Sequence, residues 1–369
     1  MQNAIKMGEK GQSGRKYRMI AVSLREQVIS GQLRGMLPGA GILAKRYGVT
    51  VMTANRAVDE LAIEGLVERR PNIGTFVCQS APVRTQSIAV VVADITLPLT
   101  SRLMNALSGV LQQHQLKKLV YTHGEKPEVQ FEILNAICAD HLADGLLWIP
   151  ASQGDNRREL ELLKKAGVPC VVLGQESLGS ELQDNAAVVG ADYFTAVYEL
   201  ARHLIGQGAR KIAYMSESQV SPRRFQGLAK AVSEAAQMAY GVIMPNLGAC
   251  LDGDPKALEE FRVSLSSYDA ILCQHDRFTI KVLKVLKQLK IDVPRDLLCA
   301  SIDDLDVAAV AELTSYRLPM ESIALTAAEN LLAMIAGKPI AKRAEIKGGL
   351  VVRRSSQPCP KGDSNEIRQ

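Results

Sequence analysis

No apolar run in this 369-residue chain approaches the roughly 18 residues that a membrane-spanning helix needs. The first residues, MQNAIKMGEKGQSG, lack the apolar segment of a secretory signal, which predicts a cytoplasmic protein. None of the seven cysteines stands in a C-x-x-C pair, and Cys170, Cys273 and Cys299 sit in apolar, strand-like runs. Buried reduced thiols are therefore expected, and neither a metal site nor a cofactor. The motifs G-x-G-x-x-G, G-x-x-x-x-G-K-S/T and H-E-x-x-H are absent, which removes the common sequence signs of nucleotide-using and zinc-hydrolase enzymes. Aromatics are scarce at 4%, with one tryptophan, Trp148, so few rings are available to stack a ligand.

What the chain does have is 47% hydrophobic residues, enough for a large core, and a length that predicts two or three units. Its net charge of +5 is unevenly spread. Residues 1–87 hold 13 Lys/Arg against 6 Asp/Glu, a net +7, which leaves −2 for the other 282 residues. A basic first unit on a near-neutral body predicts a polyanionic partner for that unit alone. The cations Arg15, Lys16, Arg18, Lys45, Arg46, Arg56, Arg69 and Arg70 all flank or lie in the segment 49–77.

That segment reads as a helix, a stop and a tight hairpin. Thr50 suits an N-cap, Ala54, Ala57, Val58 and Leu61 recur at helical spacing, and Gly65 stands where a left-handed residue ends the helix. Two short strands, 66–69 and 74–77, then flank a turn at Pro71 and Asn72. Positions 51, 52, 55, 56 and 59 lie on the other side of the helix and are free to touch a partner. Upstream, Tyr17, Ile20, Ala21, Leu24 and Val28 form the stripe of a first helix ending at Gly31, and a short second helix covers about 40–47. Three helices and a hairpin make a winged helix-turn-helix over 15–78, a DNA-binding unit that needs no metal. Residues 1–14 read as a mobile N-terminus, and 79–87, containing Pro82, as a linker.

From residue 88 the pattern changes to apolar runs alternating with helical periodicity. Strands are predicted at 88–95, 119–121, 145–149, 170–173, 211–215, 270–273 and 299–302. Helices are predicted at 128–140, 157–166, 194–205, 223–238, 255–265 and 277–289, with a further one carrying Leu103, Leu107, Val110 and Leu111. Two rounds of this alternation imply an α/β effector unit, 88–357, of two subdomains built on doubly wound parallel sheets. Its ligand cleft would lie outside the strands' C-terminal ends. Residues 358–369 read as a mobile tail.

Residues 16–77 resemble the GntR (gluconate repressor) winged-helix family. The match is carried by Leu37-Pro38, 43–49 (LAKRYGV), 64–70 (EGLVERR) and 74–77 (GTFV). Residues 87–357 resemble the ligand-binding core of the lactose-repressor family, itself similar to periplasmic sugar-binding proteins. Here the match rests on 189–192 (VGAD), 208–213 (GARKIA), 224–227 (RFQG), His275-Asp276, 293–297 (VPRDL), 301–304 (SIDD) and 350–354 (LVVRR), taken in order and spacing. Regulators of the arabinose-repressor type join these same two parts. The resemblance implies a transcriptional regulator, expected to be a repressor, that binds double-stranded operator DNA as a homodimer. A small effector, expected to be a carbohydrate, would control it by shifting two subdomain orientations.

In that family the third helix reads the major groove, so Asn55 becomes the candidate for reading a base, since its amide can pair both ways with adenine. It could also be a plain exposed asparagine. Thr50 and Thr53 are candidates for phosphate or base contacts, and Lys45, Arg46, Arg56, Arg69 and Arg70 for phosphates, with Asn72 and Gly74 in the wing. Arginines frequent in the family are replaced by Gly41, Val51 and Ile73. Val51 and Met52 could meet thymine methyls and favour A·T-rich sequence, unless Met52 is packing filler.

On the effector side, Asp192, Arg224, His275, Asp276 and Asp303 match motif sites, with His275 where the family commonly has asparagine. Arg224 suits sugar hydroxyls or a carboxylate, or else a surface pair with a neighbouring acid. Asp276 and Asp303 could accept hydroxyl hydrogens or cap the helices that follow. Asp94, Thr96 and Leu99 would line the opposite wall, and Trp148 is either core or cleft. The rival readings are an α/β enzyme and a sugar-binding protein with an accessory DNA-binding domain.

Overall fold

The stripe Tyr17, Ile20, Ala21, Leu24, Val28 predicts one buried face, and the computed structural model buries all five on α1 (Gly8–Ile29). The structure describes residues 8–29, 32–71, 73–78, 85–152, 156–174, 185–217, 220–235 and 238–358, without side chains at 8–15 and 29. The chain divides into two units, Met1–Ser87 with Ala139–Asp144, and the remainder.

In the first unit α1 begins at Gly8, inside the segment read as mobile. Once the apolar turns around Tyr17 are packed, each added residue gains a backbone hydrogen bond, so a Gly-rich start can be carried along. The expected stop at Gly31 lies outside the described residues. α2 (Ala40–Tyr47) ends at Gly48, which takes the left-handed conformation. α3 (Val51–Ile63) starts at Thr50, whose Oγ1 accepts the Thr53 N–H at 3.2 Å. β1 (Val67–Arg70) and β2 (Gly74–Val77) pair antiparallel. Met36 adds a bridge to Phe76, and the Leu37 N–H bonds to the Thr75 carbonyl at 2.7 Å, so the hairpin gains a third short edge. The core joins Leu24, Leu43, Ala54, Val58, Leu61 and Val67. Thr85 and Gln86, expected as linker, are held by Asp144, whose carboxylate accepts their backbone N–H groups at 2.6 and 3.0 Å.

The Thr50 cap gives a measurable expectation. Thr50→Ala should cost about 1 kcal/mol of stability in this unit. Because the only tryptophan, Trp148, belongs to the other unit, helix loss should move to lower urea while the tryptophan transition stays in place.

The second unit opens with β3 (Ser87–Val92), buried at every position. Each fully buried Val or Ile there contributes about 1.5–3 kcal/mol. Then follow α4 (Pro98–Gln113), β4 (Lys117–Thr122), α5 (Pro127–Ala139), β5 (Gly145–Trp148), α6 (Arg157–Ala166), β6 (Cys170–Leu173) and β7 (Ala186–Ala191). The chain crosses through α7 (Tyr193–Gly206) to β8 (Lys211–Met215), α8 (Pro222–Ser233), β9 (Ala239–Ile243), α9 (Leu247–Leu251), α10 (Pro255–Leu265), β10 (Ala270–Cys273), α11 (Asp276–Gln288), β11 (Leu298–Asp303), α12 (Asp306–Val310) and β12 (Thr314–Arg317). It returns through α13 (Met320–Ile335) to β13 (Arg343–Ile346), and crosses a third time to β14 (Gly349–Val351).

The two six-stranded sheets have the orders β13-β7-β6-β5-β3-β4 and β14-β12-β11-β10-β8-β9. The described pairings are parallel except β12 with β14. Parallel sheets are covered on both faces, which is why their inner strands read as unbroken apolar runs. Helix α13, for which the sequence reading had no element, buries Ile323, Ala324, Ala327, Ala328 and Leu331. Five of the six described cysteines are buried and all six are free thiols. No described helix is long and apolar enough to cross a membrane.

Candidate DNA-binding face and effector cleft

On α3 the side turned from the core carries Val51, 50% exposed, and Met52, 81% exposed, with Asn55 half-buried and Arg56 exposed. Met52 is therefore surface and not packing filler. Ile42 on α2 and Ile73 at the wing are also exposed, as are Met19, Val22, Met36 and Ile63 elsewhere in this unit. Thr53 does not belong to that surface: it is buried, and its hydroxyl shares a 2.9 Å hydrogen bond with that of Thr50, so it completes the cap. Lys45 and Arg46 are exposed on α2. Arg56 lies over the Tyr17 ring, 4.2 Å from its centroid.

Arg69 and Arg70, expected as phosphate contacts, both carry acidic partners. Arg69 pairs with Asp59 at 2.7 Å and donates to the Asn55 carbonyl at 3.3 Å, tying the wing to α3 beside the candidate reading residue. Arg70 pairs with Glu68 at 3.1 Å and covers Phe76. Exposed pairs of this kind contribute only about 0–1 kcal/mol, so a phosphate can displace the carboxylate. Gly74 is exposed with φ +145°, and a Cβ there would lie 3.1 Å from the Met36 sulfur. Asn72 lies outside the described residues.

In the second unit, a cavity of about 610 Å³ opens between the two sheet subdomains. It is lined by Thr96, Pro98, Ser101 and Arg102 from one and by Arg277, Ile280, Leu305, Asp306 and Val307 from the other. Of the expected residues, Thr96 lines it. The Asp94 carboxylate accepts the Thr96 N–H and hydroxyl, both at 2.8 Å, which shapes this loop and holds Asp94 below the usual carboxylate range. Leu99 packs against the core.

Arg224 is fixed by its surroundings. Its guanidinium stacks over Tyr193 at 3.9 Å from the ring centroid, and Nη1 donates to the Gln274 carbonyl at 2.8 Å. His275 caps α11: Nδ1 accepts the Phe278 N–H at 3.1 Å, so a neutral ring carries its proton on Nε2, 3.8 Å from Glu217. Burial lowers its pKa and favours that neutral donor. Asp303 is buried with φ +117°. Burial and the neighbouring Asp276 charge push its carboxyl well up, while Arg224 and Arg102 act the other way.

Three expected ligand residues have other work. Trp148 is wholly buried and donates its indole N–H to Gln130 at 3.1 Å, so it is core and not cleft. Asp276 is also fully buried. It accepts the Leu305 N–H at 2.7 Å and the Ser315 hydroxyl at 2.8 Å, which makes it a brace between strand ends. Asp192 caps α7, taking the Thr195 N–H at 2.9 Å and hydroxyl at 2.6 Å on its two oxygens.

Sequence reasoning missed Asp304. Its carboxylate is buried between Arg317 and Arg353, each at 2.7 Å, and φ is +53°. Burial opposes its ionisation, but hydrogen bonds from Arg353 and Arg317 hold its pKa down. Its backbone carbonyl receives Arg102 Nη2 at 3.1 Å from the opposite subdomain. Among the described residues no cluster of His, Cys, Asp and Glu could hold a metal ion.

A winged helix whose third helix has an exposed face, in one chain with a two-sheet unit that holds a cavity, has the architecture of a DNA-binding regulator. Comparison with known proteins agrees for both parts. Residues 16–77 match the family described as bacterial regulatory proteins, gntR family, and residues 201–356 match the periplasmic binding protein-like domain. The HTH-type transcriptional regulator GntR of Escherichia coli (strain K12) is 24% identical over 313 residues, covering 81% of this chain and 92% of that protein. The arabinose metabolism transcriptional repressor of Geobacillus stearothermophilus is 25% identical over 362 residues, covering 93% of this chain and 98% of the relative.

The fold is shared with a periplasmic binding protein/LacI transcriptional regulator from Alkaliphilus metalliredigens QYMF, solved with D-xylulofuranose. That match has TM-score 0.60 and 16% identity, and covers 73% of this chain and 99% of that one. The chain carries the GntR-family DNA-binding domain and the periplasmic-binding-protein-like domain that GntR-type, LacI-family transcriptional regulators join.

Proposed function

We propose that this regulator represses transcription in the cytoplasm by binding a pseudo-palindromic operator as a homodimer, and that a small carbohydrate between its sheet subdomains controls that binding. The observation that carries the effector half is Arg224, a guanidinium locked between the Tyr193 ring and the Gln274 carbonyl and acting on the buried Asp303. Such a fixed donor beside a carboxyl suits vicinal hydroxyls. The relative named for arabinose metabolism and the neighbour solved with D-xylulofuranose support a sugar as the ligand class.

On the DNA side, α3 enters the major groove with Val51, Met52 and Asn55, while Lys45, Arg46 and Arg56 take phosphates. Arg69 and Arg70 join them once their carboxylates are displaced. The exposed apolar side chains Ile42, Val51 and Met52 meet thymine methyls, which gives an A·T-rich operator. The test is fluorescence anisotropy with the DNA flanking the gene, with and without a sugar panel. Specific binding that one sugar alters is the expected result, and no binding above random DNA would refute the reading. In a binding selection, Asn55→Ala should erase about 1–3 kcal/mol of preference at one base pair per half-site. An unchanged selected sequence would remove Asn55 as the reader.

A further inference from the structure

Two arginines line one cavity from opposite subdomains, and neither forms a close ion pair with a buried carboxylate. Arg102 on α4 uses Nη2 on the Asp304 backbone carbonyl at 3.1 Å. Its nearest acid, Asp306, is 3.7 Å away and fully exposed. Arg277 on α11 is exposed and makes no hydrogen bond or ion pair among the described residues.

The other acids of this region are already engaged. Asp94 is held by Thr96 and also feels the charge of Arg277 from beyond ion-pair range, and Asp304 is held by Arg317 and Arg353. Asp303 is buried within the fields of both Arg102 and Arg224. Both arginines sit near the N-terminal ends of their helices, α4 of 16 and α11 of 13 residues, whose dipoles add positive potential, reduced on α11 by the buried Asp276 of its first turn.

A neutral sugar asks only for hydrogen-bonding partners. Sugar hydroxyls could accept hydrogen bonds from both guanidinium groups but would leave their charges poorly compensated, whereas an anion would gain charge-assisted bonds from both. The geometry points to an effector that carries an anionic group, a carboxylate or a phosphate, seated between Arg102 and Arg277. This rests on the effector reading above and specifies its chemical class.

The experiment uses the full chain in thermal-shift and calorimetric titrations with matched ligand sets. These are L-arabinose, D-galactose, D-glucose, D-ribose and D-xylose, the aldonate of each, a phosphate ester of each, and inorganic phosphate. The tightest ligand should be an acid, bound about tenfold or more above its neutral parent, with the aldonate and ester arms deciding which anion. Arg277→Gln should remove that preference while leaving the neutral parent's affinity in place, and Arg277→Lys should restore part of it.

A neutral sugar bound as tightly as its acids would overturn the inference, as would equal weakening of both by Arg277→Gln. In either case the effector reading survives, because it is tested separately at Arg224. Protection by inorganic phosphate that is the same in wild type and Arg277→Gln would also count against the site. If no member of any set binds, both fall together.

Discussion

Arg224→Ala should abolish the effector response at any attainable ligand concentration while operator affinity without ligand is retained. The guanidinium is pre-organised by the Tyr193 ring at 3.9 Å and by the bond to the Gln274 carbonyl at 2.8 Å, so its donors meet a ligand with little further loss of side-chain freedom. Each charge-assisted hydrogen bond is worth about 1.5–3 kcal/mol, and a bidentate contact therefore stands for roughly a 100-fold to 10,000-fold change in affinity. Arg224→Lys should recover only a fraction, because an ammonium keeps the charge but loses the planar stack and the fork. Titrating the sugar identified by thermal shift into protein already bound to labelled operator measures this directly. An Arg224→Ala protein that still responds with wild-type midpoint would show that the ligand lies elsewhere.

The second large effect is on stability. Gly227 sits where α8 crosses α7, and a Cβ at that position would lie 2.4 Å from the Phe194 carbonyl oxygen and 3.2 Å from the Tyr198 nitrogen. Those are backbone atoms, so only separation of the helices relieves the clash. Gly227→Ala is expected to cost about 2–3 kcal/mol and to lower the melting temperature of the second unit by roughly 4–10 °C. The same separation would lift Arg224, three residues earlier on α8, from Tyr193 on α7, so effector response should weaken beyond what lost stability explains. Gly109→Ala is the control. That helical position is exposed with open space around it, and alanine there should stabilise by about 0.5–1 kcal/mol. Equal melting temperatures for the two variants would contradict the close approach.

Much of the architecture is legible in the residues because it depends on local spacing. Thr50 and Gly65 bracket α3 as their chemistry requires, and β6 and β8 have the predicted bounds because buried parallel strands announce themselves as apolar runs. The edge strands β9, β13 and β14 escaped because they are three to five residues long and part-exposed; the inner strands β7 and β12 were missed too, β12 because its Thr-Ser-Tyr-Arg is no apolar run. The site was less legible, and the reason is distance along the chain. Trp148 read as either core or cleft, because the Gln130 that takes its N–H is set by the fold. Asp276 read as a ligand residue or a helix cap until Leu305 and Ser315 came to it, and Asp304 stood only as part of a motif because Arg353 reaches it from 49 residues away. Arg102 and Arg277 mean little apart and face one cavity only when two subdomains meet.

The order of synthesis gives the triple crossing a further consequence. β7, at Ala186–Ala191, is completed long before its outer neighbour β13, at Arg343–Ile346, leaves the ribosome. Until then one side of β7 presents unpaired N–H and C=O groups in a strand that is buried at every position in the finished protein. A nascent chain paused between those points carries an open apolar edge, the kind of surface on which strands from other molecules add. Slow translation through residues 192–342 should therefore lower soluble yield more than an equal delay within the first 87 residues.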